Sequence, residues 1–96
     1  MAELVLVSSS HRPLQSLVEG ALQNELRLLE AGILRGEQRL QEFEARYSLS
    51  TAAFIQHYEN DELEETLEFA EWIGESRLRE RLLEKADALR AIRFAD

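Results

Sequence analysis

The strongest constraint on the fold is a heptad pattern of apolar residues in the first half of the chain. From residue 22 to residue 47 these positions advance by alternating steps of four and three: Leu22, Leu26, Leu29, Ile33, Gly36, Leu40, Phe43 and Tyr47. Such spacing keeps one stripe of an α-helix apolar and requires a helical partner. Because Pro13 is tolerated in the first turn of a helix, we predict a long helix over residues 13–47.

A second long helix is predicted over residues 61–93. Its inward face is predicted to carry Leu63, Leu67, Ala70, Ile73, Gly74, Leu78, Leu82, Ala86, Leu89 and Ile92. Two helices of matched length joined by a compact corner pack antiparallel, and a lone hairpin of this kind leaves much apolar surface in water. We therefore predict a single all-α domain over residues 1–96, a long antiparallel helical hairpin that dimerises into a four-helix bundle. The core and dimer seam is predicted to comprise Leu22, Leu26, Leu29, Ile33, Leu40, Phe43, Leu78, Leu82 and Leu89.

The segment between the two predicted helices has the signature of a corner. Ser50 is placed to cap a short connecting helix over residues 50–59, with Leu49 and Phe54 spaced as a hydrophobic staple. Asp61 is predicted to start the next helix, with Glu64 completing a capping-box pair. The predicted corner residues are Tyr47, Ser50, Phe54, Tyr58 and Asp61.

Two glycines interrupt the first helical pattern in the run "GILRG". Gly32 and Gly36 each cost about 1 kcal/mol relative to alanine in a helix interior. They favour either a close crossing of two helices or a bend or break in the helix, and the sequence leaves both interpretations open.

The segment over residues 1–12 is predicted to be strand-like or extended. Its run "ELVLVS" (residues 3–8) has β propensity, and an antiparallel hairpin brings the two ends of the chain together. A short terminal strand pair between "ELVLV" and "AIRF" (residues 91–94) is therefore possible in this topology.

The net charge of −8 arises from one short segment. Eight acids and no lysine or arginine lie between Glu59 and Glu75, whereas the rest of the chain has 11 acids and 11 bases. Such a patch repels phosphate backbones, so we expect no nucleic-acid binding. It suits a basic protein surface or a divalent cation.

The candidate partner-binding residues lie in this segment. They are Glu64, Glu68, Glu71 and Glu75, which share one stripe of a continuous helix, together with Trp72. The same carboxylates could instead hold Mg²⁺ or Ca²⁺, or form a solvated face. Trp72 is either a core residue or, if exposed, a hot spot for protein binding. Arginines and a lysine follow the acids along the helix, which permits antiparallel charge pairing between subunits.

No catalytic signature is recognisable in the chain. His57 and His11 have no Glu-x-x-His pairing, the serines have no nucleophile elbow, and the glycines form no phosphate loop. We therefore expect a non-enzymatic protein without a cofactor or a bound metal. The absence of cysteine and of any apolar stretch of membrane-spanning length leads us to expect a cytoplasmic protein without membrane contact.

Residues 26–94 resemble a widespread group of small bacterial and archaeal helical proteins. The group has a long helix ending in E-x-R/K-Y-G-M-S-S/T, then a phenylalanine, a second aromatic residue, an acidic run, and E-W followed by a Leu/Arg/Glu-rich helix. This chain departs at Ser48 and Leu49, where Gly-Met is usual, which alters the turn before the cap. The positions that match are Glu44, Arg46, Tyr47, Ser50, Phe54, Tyr58, the acids from Asp61 to Glu68, Glu71 and Trp72.

This resemblance implies a neutralising role. Members of the group look like the antitoxin components of toxin–antitoxin pairs, being small, acidic and helical. The implied partner is a basic, RNase-like toxin that docks on the acidic patch. The rival hypotheses are a helical bundle that binds divalent metal and a self-assembling structural module.

Overall fold

The chain folds into a hairpin of two long helices with a short helix at its corner. A computed structural model describes residues 4–7 and 13–94, and its helices are α1 (Leu14–Tyr47), α2 (Thr51–Glu59) and α3 (Leu67–Arg90). α1 and α3 pack side by side, and the molecule measures 59 × 25 × 19 Å. The predicted all-α helical hairpin is confirmed, including the short connecting helix.

α1 is a continuous helix from end to end. It begins after Pro13 and ends at Ser48, which adopts a left-handed conformation (φ 50°) and donates its backbone N–H to the carbonyl of Glu44. The helix passes through Gly32 and Gly36 without a break, and the close-approach interpretation holds for Gly32 but not for Gly36, where a Cβ atom would lie 3.8 Å from Oε2 of Glu75, an ordinary contact. A Cβ atom at Gly32 would lie 3.2 Å from Cδ1 of Leu82 on α3, a tight contact that glycine avoids.

α2 begins where the sequence predicts. The hydroxyl of Ser50 accepts a hydrogen bond from the backbone N–H of Ala53 at 3.1 Å, which satisfies one of the free donors of the first turn. Phe54 is fully buried, and Leu49 packs against the cluster to which Phe54 belongs. The predicted cap is therefore confirmed.

α3 begins later than predicted, and the prediction of Asp61 as its first residue is wrong. Asp61 has a left-handed backbone (φ 58°) and ends α2 instead. Its N–H donates to the carbonyl of Tyr58 at 3.1 Å and that of Glu62 donates to His57 at 3.0 Å, the pair of bonds that defines a Schellman motif. The cap of α3 is Thr66, whose hydroxyl accepts from the N–H of Phe69.

The two long helices therefore differ in length, contrary to the prediction of a matched pair. α1 has 34 residues and α3 has 24. The difference arises because residues 60–66 form an extended connector between α2 and α3 rather than the first two turns of α3.

The core is concentrated at the corner end of the hairpin. Its centre is a stack of aromatic rings. The rings of Phe54 and Trp72 lie 3.8 Å apart and nearly parallel, and the ring of Phe43 also stacks on that of Trp72. Both Phe54 and Trp72 are fully buried. Partly buried side chains surround this aromatic cluster: Leu49, Ile55, Tyr58, Leu63 and Phe69.

The predicted seam divides between buried and exposed positions. Leu29, Leu40 and Phe43 of α1 are buried, and five seam residues are partly buried: Leu22, Leu26, Ile33, Leu82 and Leu89. Leu78 is 43 % exposed, so its prediction as a core position of the hairpin is wrong.

The inward face of α3 is rotated relative to the predicted one. Ile73 and Ala86 are buried as expected, but Trp72 and Ser76 complete the buried face. The rotation follows from burial of the large indole ring of Trp72 in the aromatic cluster. Five positions predicted to point inward are exposed as a result: Leu67, Ala70, Gly74, Leu78 and Ile92.

Within the described residues, no terminal strand pair forms. Residues 4–7 have no regular structure and are exposed, and residues 91–94 form a turn and an irregular segment after α3. The predicted pairing of these two segments is therefore wrong for the described part. An isolated two-stranded pair is marginally stable in water, which explains why β propensity alone does not produce it. Glu3, Ser8 and His11 lie outside the described residues.

Candidate functional site

The acidic stretch of the sequence is divided by the fold into two parts with different surroundings. The first part is the acidic connector, residues 59–66, which runs from the end of α2 to the cap of α3. The second part lies on the first turns of α3. All acids of the connector are exposed: Glu59, Asp61, Glu62, Glu64 and Glu65.

The acidic connector is fixed to the core by one apolar side chain. Leu63 is partly buried and packs against the aromatic cluster, whereas the residues on either side of it face solvent. Nδ1 of His57 lies 3.1 Å from a carboxylate oxygen of Glu62, and this hydrogen bond lowers the pKa of Glu62. His57 is thus a partly exposed residue with one acidic neighbour. The connector presents its carboxylates from a defined position at the end of the hairpin.

The acids on α3 are partly neutralised by α1. The carboxylate of Glu68 accepts hydrogen bonds from the hydroxyl of Tyr47 at 2.5 Å and from the guanidinium of Arg46. The hydrogen bond from Tyr47, followed by that from Arg46, lowers the pKa of Glu68, and the same contact raises the pKa of Tyr47. Glu71 lies 3.8 Å from the guanidinium of Arg39. Two of the predicted partner-binding acids therefore contact the protein's own cations.

The four predicted carboxylates do not share one helical stripe. Glu64 precedes the cap at Thr66 and belongs to the connector, so only Glu68, Glu71 and Glu75 lie on α3. Within the part of the chain that the structure describes, no three acidic or histidine side chains come together as a metal site.

Trp72 does not belong to a partner-binding surface, and this prediction is wrong. Its ring is fully buried in the aromatic cluster, and its indole N–H donates to the hydroxyl of Thr51 at 3.0 Å. A buried tryptophan needs such a partner for its N–H group. The alternative interpretation of Trp72 as a core residue is correct.

Ion pairs link α1 and α3 in an antiparallel order that the sequence analysis missed. Near the corner α1 supplies the cation and α3 the acid, in the pairs Arg46–Glu68 and Arg39–Glu71. Farther from the corner α1 supplies the acid and α3 the cation, in the pairs Glu37–Arg79 and Glu30–Arg90. The sequence pattern permits charge pairing between subunits, whereas these pairs lie within one hairpin. Along α3 the paired acids precede the paired arginines, and along α1 Glu30 and Glu37 likewise precede Arg39 and Arg46. Two helices with the same order of charge pair when they pack antiparallel, and this shared order is the signal that could have revealed the ion pairs.

Comparisons of the chain with family models, with curated proteins and with solved structures give no match. The resemblance to antitoxin-like proteins therefore stays a prediction. In the described residues no helix has both the length and the apolar content needed to cross a membrane.

Proposed function

We propose that this chain is a non-enzymatic, antitoxin-like interaction subunit that binds a basic partner protein through its acidic connector. In this proposal the protein acts in the cytoplasm as a homodimer and uses neither a cofactor nor a nucleic acid. The antitoxin-like role is the one that the family resemblance implies. The proposed docking surface is residues 59–66, whereas the sequence predicted the acids of the α3 stripe.

The proposal rests on a difference between two groups of acids: two at the start of α3 contact arginines of α1, and most of those on the connector contact no cation in the part of the chain that the structure describes. Glu68 and Glu71 contact arginines of α1, whereas Glu59, Asp61, Glu64 and Glu65 form no ion pair within the described residues. The excess negative charge is therefore concentrated at the corner end of a narrow molecule. A concentrated charge of this kind accelerates association with a surface of opposite sign and disfavours partners of like sign.

The placement of the connector also supports a docking role. Because Leu63 fixes it to the aromatic cluster, a partner that binds there pays little for ordering the segment. Glu59, the last residue of α2, is the first residue of the connector, and Tyr58 before it packs against the aromatic cluster.

Two triple variants with the same change in charge test this proposal. The connector variant carries Glu59→Gln, Glu64→Gln and Glu65→Gln, and the control variant carries Glu25→Gln, Glu80→Gln and Glu84→Gln on exposed faces of the long helices. Each tagged protein is used to capture partners from its native cells, followed by a moderate salt wash and mass spectrometry.

We expect the wild type and the control to retain one small basic protein in near-stoichiometric amount, and the connector variant to lose it. If the captured protein arrests growth when expressed alone, co-expression of the wild type should restore growth and co-expression of the connector variant should not. Equal capture by all three proteins would show that the connector is not the docking surface. Recovery of the chain alone would contradict the proposal of a basic partner.

A further inference from the structure

One side of the hairpin carries an open groove between α1 and α3. It has a volume of about 430 Å³, and Gly32 and Gly36 contribute no side chain to fill it. The remaining residues that line it are Leu28, Arg35, Arg39, Glu75, Leu78 and Leu82. This groove lies along the middle of the helices and is distinct from the acidic connector.

The leucines of the groove are incompletely covered within the hairpin. Leu28 on α1 is 61 % exposed and Leu78 on α3 is 43 % exposed. On α3, Leu78, Leu82 and Leu89 follow one another at spacings of four and seven, which is the heptad spacing of a helix that packs against further helices. We define Leu28, Leu78 and Leu82, which line the groove, as the groove face. The packing of α1 against α3 leaves these leucines partly exposed to water.

The exposed area of the chain is large enough to supply an interface. The chain exposes 7825 Å², about 2,000 Å² more than a compact monomer of 11.1 kDa. A standard stable interface buries about 800 Å² on each partner. The exposed area of the chain therefore exceeds that of a compact monomer by more than a stable interface needs on one partner, and Leu28 and Leu78 of the groove contribute to it.

The charges beside the groove favour a second copy of the chain over a basic protein. Arg35 and Arg39 flank the groove with a single acid, Glu75, so a basic partner is repelled there. Because Arg35 and Glu75 have opposite charges and lie on the same face, two copies packed about a two-fold axis can pair Arg35 of one copy with Glu75 of the other. Arg35 forms no ion pair within the part of the chain that the structure describes, so it is available for one.

We infer that two copies of this chain pack groove face to groove face about a two-fold axis and form a four-helix bundle. An interface of this type is self-complementary, because each subunit presents the same leucines to the other. The assignment rests on the homodimer of the proposed function, but it does not depend on the basic partner.

The test compares two leucines of α1 with similar exposure. Leu28→Glu lies in the groove face, whereas Leu34, which is 57 % exposed, points about 120° away around the helix, so Leu34→Glu is the matched control. The mass of each purified full-length protein is measured by analytical ultracentrifugation over a range of concentrations. Circular dichroism reports whether each variant keeps its helices.

We expect the wild type and Leu34→Glu to sediment at twice the chain mass of 11.1 kDa and Leu28→Glu to sediment as a helical monomer. If Leu28→Glu fails to fold, Leu28→Ala supplies the answer, since it keeps helix propensity and should raise the Kd of the dimer about tenfold. A monomeric wild type overturns the inference, as does a dimer that dissociates with Leu34→Glu and persists with Leu28→Glu. Neither result changes the capture experiment at the connector, so the two proposals fail separately.

Discussion

At the scale of single residues, Trp72 connects separate parts of the fold. Its ring stacks on Phe54 of α2 and on Phe43 of α1, and its N–H group is bonded to Thr51. One side chain of α3 thus joins all three helices. The sequence shows which residues are aromatic but not that their rings stack, because Phe43 and Trp72 lie far apart in the chain, with the corner between them.

Truncation of Trp72 should therefore be among the most damaging single changes. We expect Trp72→Ala to lower the free energy of unfolding by about 3–5 kcal/mol, because it removes a large buried ring and leaves a cavity. Urea denaturation followed by circular dichroism measures this loss. Leu34→Ala, at an exposed position, serves as the control and should change stability by less than about 0.5 kcal/mol. A small effect of Trp72→Ala would show that the indole is not at the centre of the core.

The contact of Glu68 with Tyr47 and Arg46 predicts a dependence of stability on acidity. Because these donors lower the pKa of Glu68 in the folded state, its contribution is fully present above the ordinary carboxyl pKa of 4.5 and is lost as the pH falls through the lower, folded-state pKa. Glu68→Gln should reduce the melting temperature near neutral pH and flatten its fall below pH 4.5. Melting curves at a series of pH values provide the measurement.

Glu64→Gln is the control for this pH series, since Glu64 forms no ion pair within the described residues. It should follow the wild-type curve over the whole range. Parallel curves for the wild type and Glu68→Gln would mean that the contact with Tyr47 and Arg46 does not contribute to stability.

At the scale of elements, the beginning of α3 shows how backbone conformation overrides a sequence motif. Asp61 followed by Glu64 has the spacing of a capping box, but a capping residue needs an extended backbone. Asp61 is instead left-handed, because it closes the last turn of α2. The sequence predicts correctly that a helix boundary lies near this point. Whether Asp61 ends α2 or begins α3 depends on how the whole corner packs, which the local motif does not show.

The assignment of the cap to Thr66 can be tested directly. Thr66→Ala should lower the free energy of unfolding by about 1 kcal/mol, since the N–H group of Phe69 loses its acceptor. Thr66→Ser keeps the hydroxyl and should change stability by only a few tenths of this amount. Chemical denaturation of both variants gives the comparison. An unchanged stability of Thr66→Ala would place the helix start elsewhere.

At the scale of the whole molecule, the charge order along the two long helices matches their antiparallel packing. Acids at the start of α3 face arginines near the end of α1, and arginines later in α3 face acids near the middle of α1. A parallel arrangement would place like charges together. Each pair is partly exposed and contributes little by itself, so the set favours one orientation more than it adds stability.

A charge exchange between Glu37 and Arg79 tests this role. Arg79→Glu should lower the free energy of unfolding by about 1 kcal/mol because it places two acids together, and adding Glu37→Arg should recover about half of that loss. The recovery should disappear at high salt, where such exposed pairs are screened. A double variant no more stable than Arg79→Glu alone would show that the two side chains do not interact across the hairpin.

The sequence by itself determined the helical hairpin, because heptad spacing and the cap at Ser50 are local properties that act within a few turns. It also determined where the negative charge lies. Only the tertiary structure decided that Trp72 is buried, that Glu68 and Glu71 face arginines of α1, and that Glu59, Asp61, Glu64 and Glu65 of the connector form no ion pair within the described residues. These features depend on the rotation and register of α3 against α1, and both are set by packing between residues far apart in the chain.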